Sequence, residues 1–449
     1  MRFAMRGPAP WLTRWLLAGV LALNLAGMTA PTASAQQTPA ASQATGTASP
    51  ANQQAYSLPP DKLAKAIALT RIRNILDIVG SLWQIVFIWL VLASRFAARL
   101  EAEIKRIAPH HWAQGIFFFA AFFILLWFSG LPLSIYGHYV ERSYGISIQS
   151  WADWFRDDAK ELGFAIAITT PLLLLFNWIV SRWPRRYWLG AWIVTLPILV
   201  IVFFVEPLVE PLFEQHEPLE AHNPALVADL EKVVARTGTD IPPSRMYLMK
   251  ASLKTNGLNA YVTGIGATKR IVVWDTTAGR IPSDEILFIF AHECGHYVLH
   301  HLPKGMAVTA VSLFFIYWIC ARFAAWIVAR CGARWGATDL SSRTGFLMLL
   351  FGVTIVMFLL QPVDNGISRY FEHQADVYGQ EAIHGIVPDP QKTAVAAFND
   401  LGKAWLDDPN PSPFIEFWLY SHPSTQQRAE FAAHYDPWAN GGHGKYFAK

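Results

Sequence analysis

Apolar stretches with few or no charges recur along the chain at 76–94, 115–138, 163–181, 187–205, 305–328 and 344–363. A helix rises about 1.5 Å per residue and a bilayer core is about 30 Å thick, so each stretch is long enough to cross a membrane. The pattern predicts about six membrane-spanning helices. Asp77 lies at the edge of the first, and Arg322 in the fifth can extend its head toward the lipid headgroups. Pro171 and Pro197 fall inside two of the stretches and predict kinks there. Between the fourth and fifth, residues 206–282 are polar. They contain strand-like runs at Arg245–Met249, Tyr261–Thr263 and Ile271–Trp274, with turn chemistry at Asn256-Gly257 and around Gly264 and Gly266. A helix start follows at Arg280–Glu285, with Ser283 as its expected N-cap and acidic residues in its first turn. Ile286–Ala291 is apolar enough for a buried helix, and Pro303 is expected to end it.

The N-terminus has a different pattern. Arg2, Arg6 and Arg14 precede the apolar run Trp15–Ala26, and Ala33-Ser34-Ala35 then follows as an A-x-A cleavage pattern, so residues 1–35 read as a secretory signal peptide. Residues 36–58 are free of charge and rich in Gln, Ala, Thr, Ser and Pro, which predicts a disordered linker. The expected organisation continues with a four-span membrane domain (59–205), an extramembrane domain (206–304), a transmembrane hairpin (305–363) and a C-terminal helical domain (364–449). The fold class is mainly α, a polytopic α-helical membrane protein with a small α/β domain.

Composition agrees with a membrane location: 53% of residues are hydrophobic, 14% aromatic and only 15% charged. The net charge of +3 is too small and too confined to loops to suggest nucleic-acid binding. An odd count of three cysteines (Cys294, Cys320, Cys331) argues against a disulfide framework. The connections after spans one, three and five are basic: Arg95, Arg99, Lys105 and Arg106; Arg182, Arg185 and Arg186; Arg330, Arg334 and Arg343. The 139–162 connection is rich in acid, with Glu141, Asp153, Asp157, Asp158 and Glu161. The basic connections should be cytoplasmic, so 206–304 and the C-terminal domain should face outward. A bacterial inner membrane with these domains on the periplasmic side satisfies both this rule and the signal peptide.

The chemistry concentrates at His292-Glu293-Cys294-Gly295-His296, an HExxH motif. On a helix the two histidines leave the same face, and neutral imidazoles suit zinc. Glu293 can take a proton from a water held on such a metal. Cys294 points off the ligand face and reads as helix packing. A catalytic zinc needs a third protein ligand, and Ser368–Asp376 offers one. Glu372 and Asp376, four apart, share a helix face; one could bind the metal while the other orients a histidine. His373 is a competing ligand that points about 100° away. Spans five and six form a hairpin that leaves and returns to the same side, which can bring Glu372 back beside the histidines. Asn259-Ala260-Tyr261 is placed at a strand edge that could hold an extended polypeptide substrate by main-chain hydrogen bonds, and a purely structural sheet fits these residues equally well. The reading is a membrane metalloendopeptidase using one Zn2+ per chain. A transporter or scaffold with a structural zinc site is the rival, and it would have no use for Glu293.

Several further motifs occur in order: Glu141–Trp151, Pro211-Leu212-Phe213, Pro218-Leu219-Glu220, Asn259-Ala260-Tyr261, Lys269–Thr276, the HExxH, Ser368-Arg369 with Glu372 and Asp376, and His422-Pro423-Ser424 with Arg428. From about Tyr139 to Arg428 the chain resembles the CAAX prenyl protease 1 type of membrane zinc metallopeptidase, with the HtpX-like proteases as shorter relatives. The resemblance implies a zincin domain of the gluzincin type, with zinc on His292, His296 and Glu372 and with Glu293 as general base. It implies an acid or supporting role for Asp376, and His422 and Arg428 as stabilisers of the transition state. It also implies spans that enclose a chamber, and CAAX-type substrates. The outward orientation read from the loops differs from the cytosolic face of the eukaryotic members, and so points equally to lipidated or misfolded envelope proteins.

Overall fold

The computed structural model describes residues 55–447 apart from 265 and 338. The expected signal peptide and most of the expected linker lie outside these residues. The last residues of that linker are not disordered. Tyr56 is completely buried, its N–H donates to Gln426 Oε1 at 2.7 Å and its hydroxyl to the Asp407 carbonyl at 3.0 Å. An aromatic ring that fills a core site makes residues 55–58 part of the domain, despite their uncharged, low-complexity lead-in.

Pro60–Ala93 (α1) begins with a proline at its first position, where the missing N–H has no consequence. Phe96–Ile107 (α2), His111–Ser143 (α3), Trp151–Arg182 (α4) and Tyr187–Val209 (α5) follow. The α/β region holds His216–Pro218 (β1), Pro224–Thr237 (α6), Met246–Met249 (β2), Ala260–Thr263 (β3), Arg270–Trp274 (β4), the short Asp275–Ala278 (α7) and Ser283–Val298 (α8). Then come His301–Trp335 (α9), Arg343–Ala382 (α10), Pro390–Trp405 (α11), Pro413–Leu419 (α12) and Thr425–His434 (α13).

Among the described residues, α1, α3, α4, α9 and α10 are long and apolar enough to cross a membrane. The expected fourth span lies on α5, whose described apolar run, Tyr187–Val202, is shorter than the others. Five of the expected six stretches thus lie on helices long and apolar enough to cross, and the remaining one lies on α5, which runs from the basic connection back toward the α/β region. Pro171 and Pro197 both lie within continuous helices. Ser283 is the first residue of α8 rather than its cap, and Pro282 precedes it. The helix ends at Val298, and Pro303 belongs to the first turn of α9, where a proline is tolerated.

The sheet has the order β1-β2-β4-β3. β2 and β4 are parallel, with Met246 opposite Ile271, and β3 is an antiparallel edge strand with Tyr261 opposite Val272. β1, absent from the sequence reading, is three residues ending in proline and has no alternation to betray it. Leu230 and Val233 of α6, Ile271 and Val273 of β4, Leu287 and Phe290 of α8 and Phe398 of α11 share one apolar core. Cys294 is fully buried in that core, as its packing role required. A second core joins the membrane helices, with Phe119 of α3, Ile179 of α4 and Phe346 of α10.

The two ends of the membrane bundle differ in chemistry. At one end the basic connections meet. Glu101 accepts from the Thr344 N–H at 2.9 Å and from its hydroxyl at 2.7 Å, Arg343 donates to the His111 carbonyl at 2.6 Å, and Asn177 donates to the Ser341 carbonyl at 3.1 Å. At the other end the bundle docks on the α/β region. Arg73 binds both oxygens of Glu141 and also the Trp405 carbonyl at 2.8 Å, while the Asn256 N–H donates to the Ile146 carbonyl at 2.9 Å.

Candidate metal centre

Helices α8 and α10 form the site because they approach closely. Two glycines permit this: a Cβ on Gly379 would lie 2.9 Å from the His292 backbone nitrogen, and one on Gly295 would lie 3.0 Å from the Tyr378 Cβ. Any side chain at Gly379 would have to push the backbone of the HExxH segment away. The approach sets Glu372 of α10 against the two histidines of α8.

His292, His296 and Glu372 each offer one ligand atom, and these atoms all lie within 4.8 Å of one another. The His292 and His296 Nε2 atoms are 3.2 Å apart, and they lie 3.3 and 3.6 Å from the Glu372 carboxylate oxygens. His292 and Glu372 are buried and His296 is partly so. The outer nitrogen of each imidazole is occupied. His292 Nδ1 is 2.8 Å from Asp376 Oδ1, and His296 Nδ1 is 3.0 Å from His301 Nδ1. With protons on the outer nitrogens, two imidazole lone pairs and a carboxylate converge on one point. Such a donor set fits a zinc ion.

Arg428 holds the other side of Asp376. Its Nε and Nη2 donate to the two carboxylate oxygens at 2.9 and 2.5 Å, which orients Asp376, and Nη2 also lies 3.6 Å from Glu372 Oε2. His422 Nε2 lies 3.2 Å from Glu372 Oε1, and its Nδ1 is 3.0 Å from the Ser421 hydroxyl. Glu293 follows His292 and is half-buried. Its carboxyl is raised above the usual range by burial, against the lowering pull of His292 and Arg428. Burial alone would keep His292 neutral, but its hydrogen bonds to Asp376 and Glu372 outweigh this and raise it to about 9. His422 is pushed down to about 4 by burial, which the pull of Glu372 offsets only in part.

His292, Glu293, His296, Glu372, Asp376, His422 and Arg428, drawn from three separate segments of sequence, thus gather in one place. His373 does not join them. It is exposed, and its ring lies 4.6 Å from that of Phe431. Ala260 and Tyr261 lie on the edge strand β3, while Asn259 lies just before it with its backbone engaged by Thr277 and Trp274. The Tyr261 hydroxyl bonds Glu210, in the turn that follows α5. The sequence reading missed His301. Its signal was a second histidine pair immediately beyond the HExxH helix, His300-His301.

The family model described as Peptidase family M48 matches residues 220–436, and that of the CAAX prenyl protease N-terminal region, five membrane helices, matches 41–215. An uncharacterized metalloprotease, YhfN, of Bacillus subtilis is 32% identical over 377 residues, covering 83% of this chain and 86% of its own. CAAX prenyl protease 1 of Saccharomyces cerevisiae is 26% identical over 76% of each chain, and the human homolog is 25% identical over 67% of this chain and 70% of its own. The crystal structure of S. mikatae Ste24p superposes with a TM-score of 0.72 at 22% identity, covering 84% of this chain and 90% of that one. The resemblance read from Tyr139 to Arg428 therefore extends upstream into the first membrane helices.

Proposed function

The chain belongs to the peptidase M48 family and is a membrane metalloprotease, and we propose that His292, His296 and Glu372 hold its zinc while Glu293 is its general base. The observation that carries this is the convergence of the three donor atoms within 4.8 Å, with both outer imidazole nitrogens already held. Zinc, when bound, would supply Lewis-acid polarisation of the scissile carbonyl. Glu293 takes a proton from the attacking water and passes it to the leaving amine. His422 faces the same carboxylate as the histidines and is the group available to donate to the developing oxyanion. Arg428 acts through Asp376 on the orientation of His292. The edge strand β3 is where an extended substrate would add to the sheet by main-chain hydrogen bonds. Incubation with a zinc chelator should abolish peptide hydrolysis by the purified protein, and one equivalent of zinc should restore it. Activity that persists in metal-free protein would refute the reading.

The substrates we propose are polypeptide segments of membrane-associated proteins, lipidated or misfolded, reached on the outer face of a bacterial inner membrane. One feature supports the orientation. The basic connections cluster at the bundle end opposite the α/β region, and basic connections stay cytoplasmic. Alkaline phosphatase needs an oxidising exterior to form its disulfides, so a fusion after Lys449 in a bacterial host should be active and one near Arg334 inactive. The reverse pattern would put the site in the cytosol and make prenylated CAAX proteins the leading substrate class.

A further inference from the structure

We propose that His301 is a positioning residue that fixes the ring and tautomer of His296 through a neutral relay running back to Gln374 and Tyr370. The proposal rests on the reading of His296 as a zinc ligand through Nε2. After α8 ends, the chain turns at His300, whose φ of 57° is left-handed, and the next residue comes back to the HExxH helix. His301 is only 4% exposed, and its ring stacks on Phe371 at 4.5 Å between centroids and 12° between planes. Its plane is therefore fixed before any hydrogen bond is considered.

The hydrogen bonds then fix its protons. The Gln374 amide donates through Nε2 to the Tyr370 hydroxyl at 3.2 Å, which turns Oε1 toward His301 Nε2 at 3.0 Å. With Oε1 facing His301 in this orientation of the amide, the His301 proton sits on Nε2. A neutral imidazole carries one proton, so His301 Nδ1 presents a lone pair. His296 Nδ1 lies 3.0 Å away and must be the donor, which leaves a lone pair on His296 Nε2, the atom that faces Glu372. A doubly protonated His301 would set N–H against N–H.

The two histidines of the motif are thus held by different means. His292 leans on a carboxylate that is itself paired with Arg428, whereas His296 leans on an uncharged chain that adds no negative charge to the site. Gln374 lies two residues from Glu372 on α10, so the helix that supplies the third donor also sets the tautomer of the second.

The test measures the zinc dissociation constant of the full-length protein in detergent by competition with a chelator, a readout independent of turnover. His301→Phe keeps the stacked ring but has no acceptor, and should raise the constant about 10- to 100-fold. His301→Asn places an oxygen where Nδ1 stood, and should restore affinity to within about threefold of the original. Gln374→Leu leaves both histidines in place but frees the His301 tautomer, and should also weaken binding. Unchanged affinity in His301→Phe, or equal loss in His301→Asn, overturns the relay. If His301→Phe fails to fold, unchanged affinity in Gln374→Leu overturns it. His296→Ala tests the underlying reading separately: loss of zinc there without loss in His301→Phe refutes the relay alone.

Discussion

Glu293→Gln is expected to keep its zinc and lose its peptidase activity. The carboxylate is not one of the three converging donors, so an isosteric amide removes no ligand. What it removes is the group that can carry a proton between the attacking water and the leaving amine. Burial raises the Glu293 carboxyl above an ordinary carboxylate, which makes it a better proton acceptor than a solvated one. Loss of a general base costs about 10² to 10⁴ in rate, and the same group serves twice in peptide hydrolysis, so the loss should reach the upper part of that range. Turnover of a fluorogenic peptide at saturating zinc, with metal content measured on the same sample, separates the two outcomes. Activity near that of the unaltered protein would refute the general-base role; a parallel loss of zinc would mean that Glu293 supports the metal instead.

Much of this site was legible because helical geometry is local. Four-residue spacing places His292 beside His296, and Glu372 beside Asp376, whatever the rest of the chain does. The apolar run Ile286–Ala291 announced that α8 is buried, and the long apolar stretches announced the membrane helices. The hairpin of α9 and α10 carried the one long-range inference, because two crossings return the chain to the same side. Less legible were features decided by tertiary contact. β1 has three residues and a terminal proline, and only its pairing with β2 makes it a strand. Tyr56 lies at the end of an uncharged low-complexity stretch, yet it is buried against Gly402 and held by Gln426. Pro303 carried a correct local rule assigned to the wrong helix: it marks the start of α9, because the chain had already turned at His300. His301 lay outside the motif template, and its role depends on Gln374 and Phe371, far away in sequence.

The arrangement also separates two neighbours that sequence alone leaves in competition. Glu372→Ala should strip zinc from the protein, whereas His373→Ala should leave it near one ion per chain. Glu372 is buried, and its oxygens lie 3.3 and 3.6 Å from the two HExxH nitrogens and 3.2 Å from His422. Alanine there leaves two imidazoles, too few for a zinc site, which uses three protein ligands even when one position stays open. The loss in affinity should therefore exceed the about 10- to 100-fold typical of removing a supporting partner such as Asp376 or His301. His373 sits about 100° further round α10, exposed and edge-on to Phe431, and its removal costs at most that surface contact. Thermal unfolding of both variants without metal controls for collapse of α10 against α8. If His373→Ala lost the metal while Glu372→Ala kept it, the ligand set would have to be rebuilt around a rotated α10, and the tautomer relay through Gln374 would fall with it.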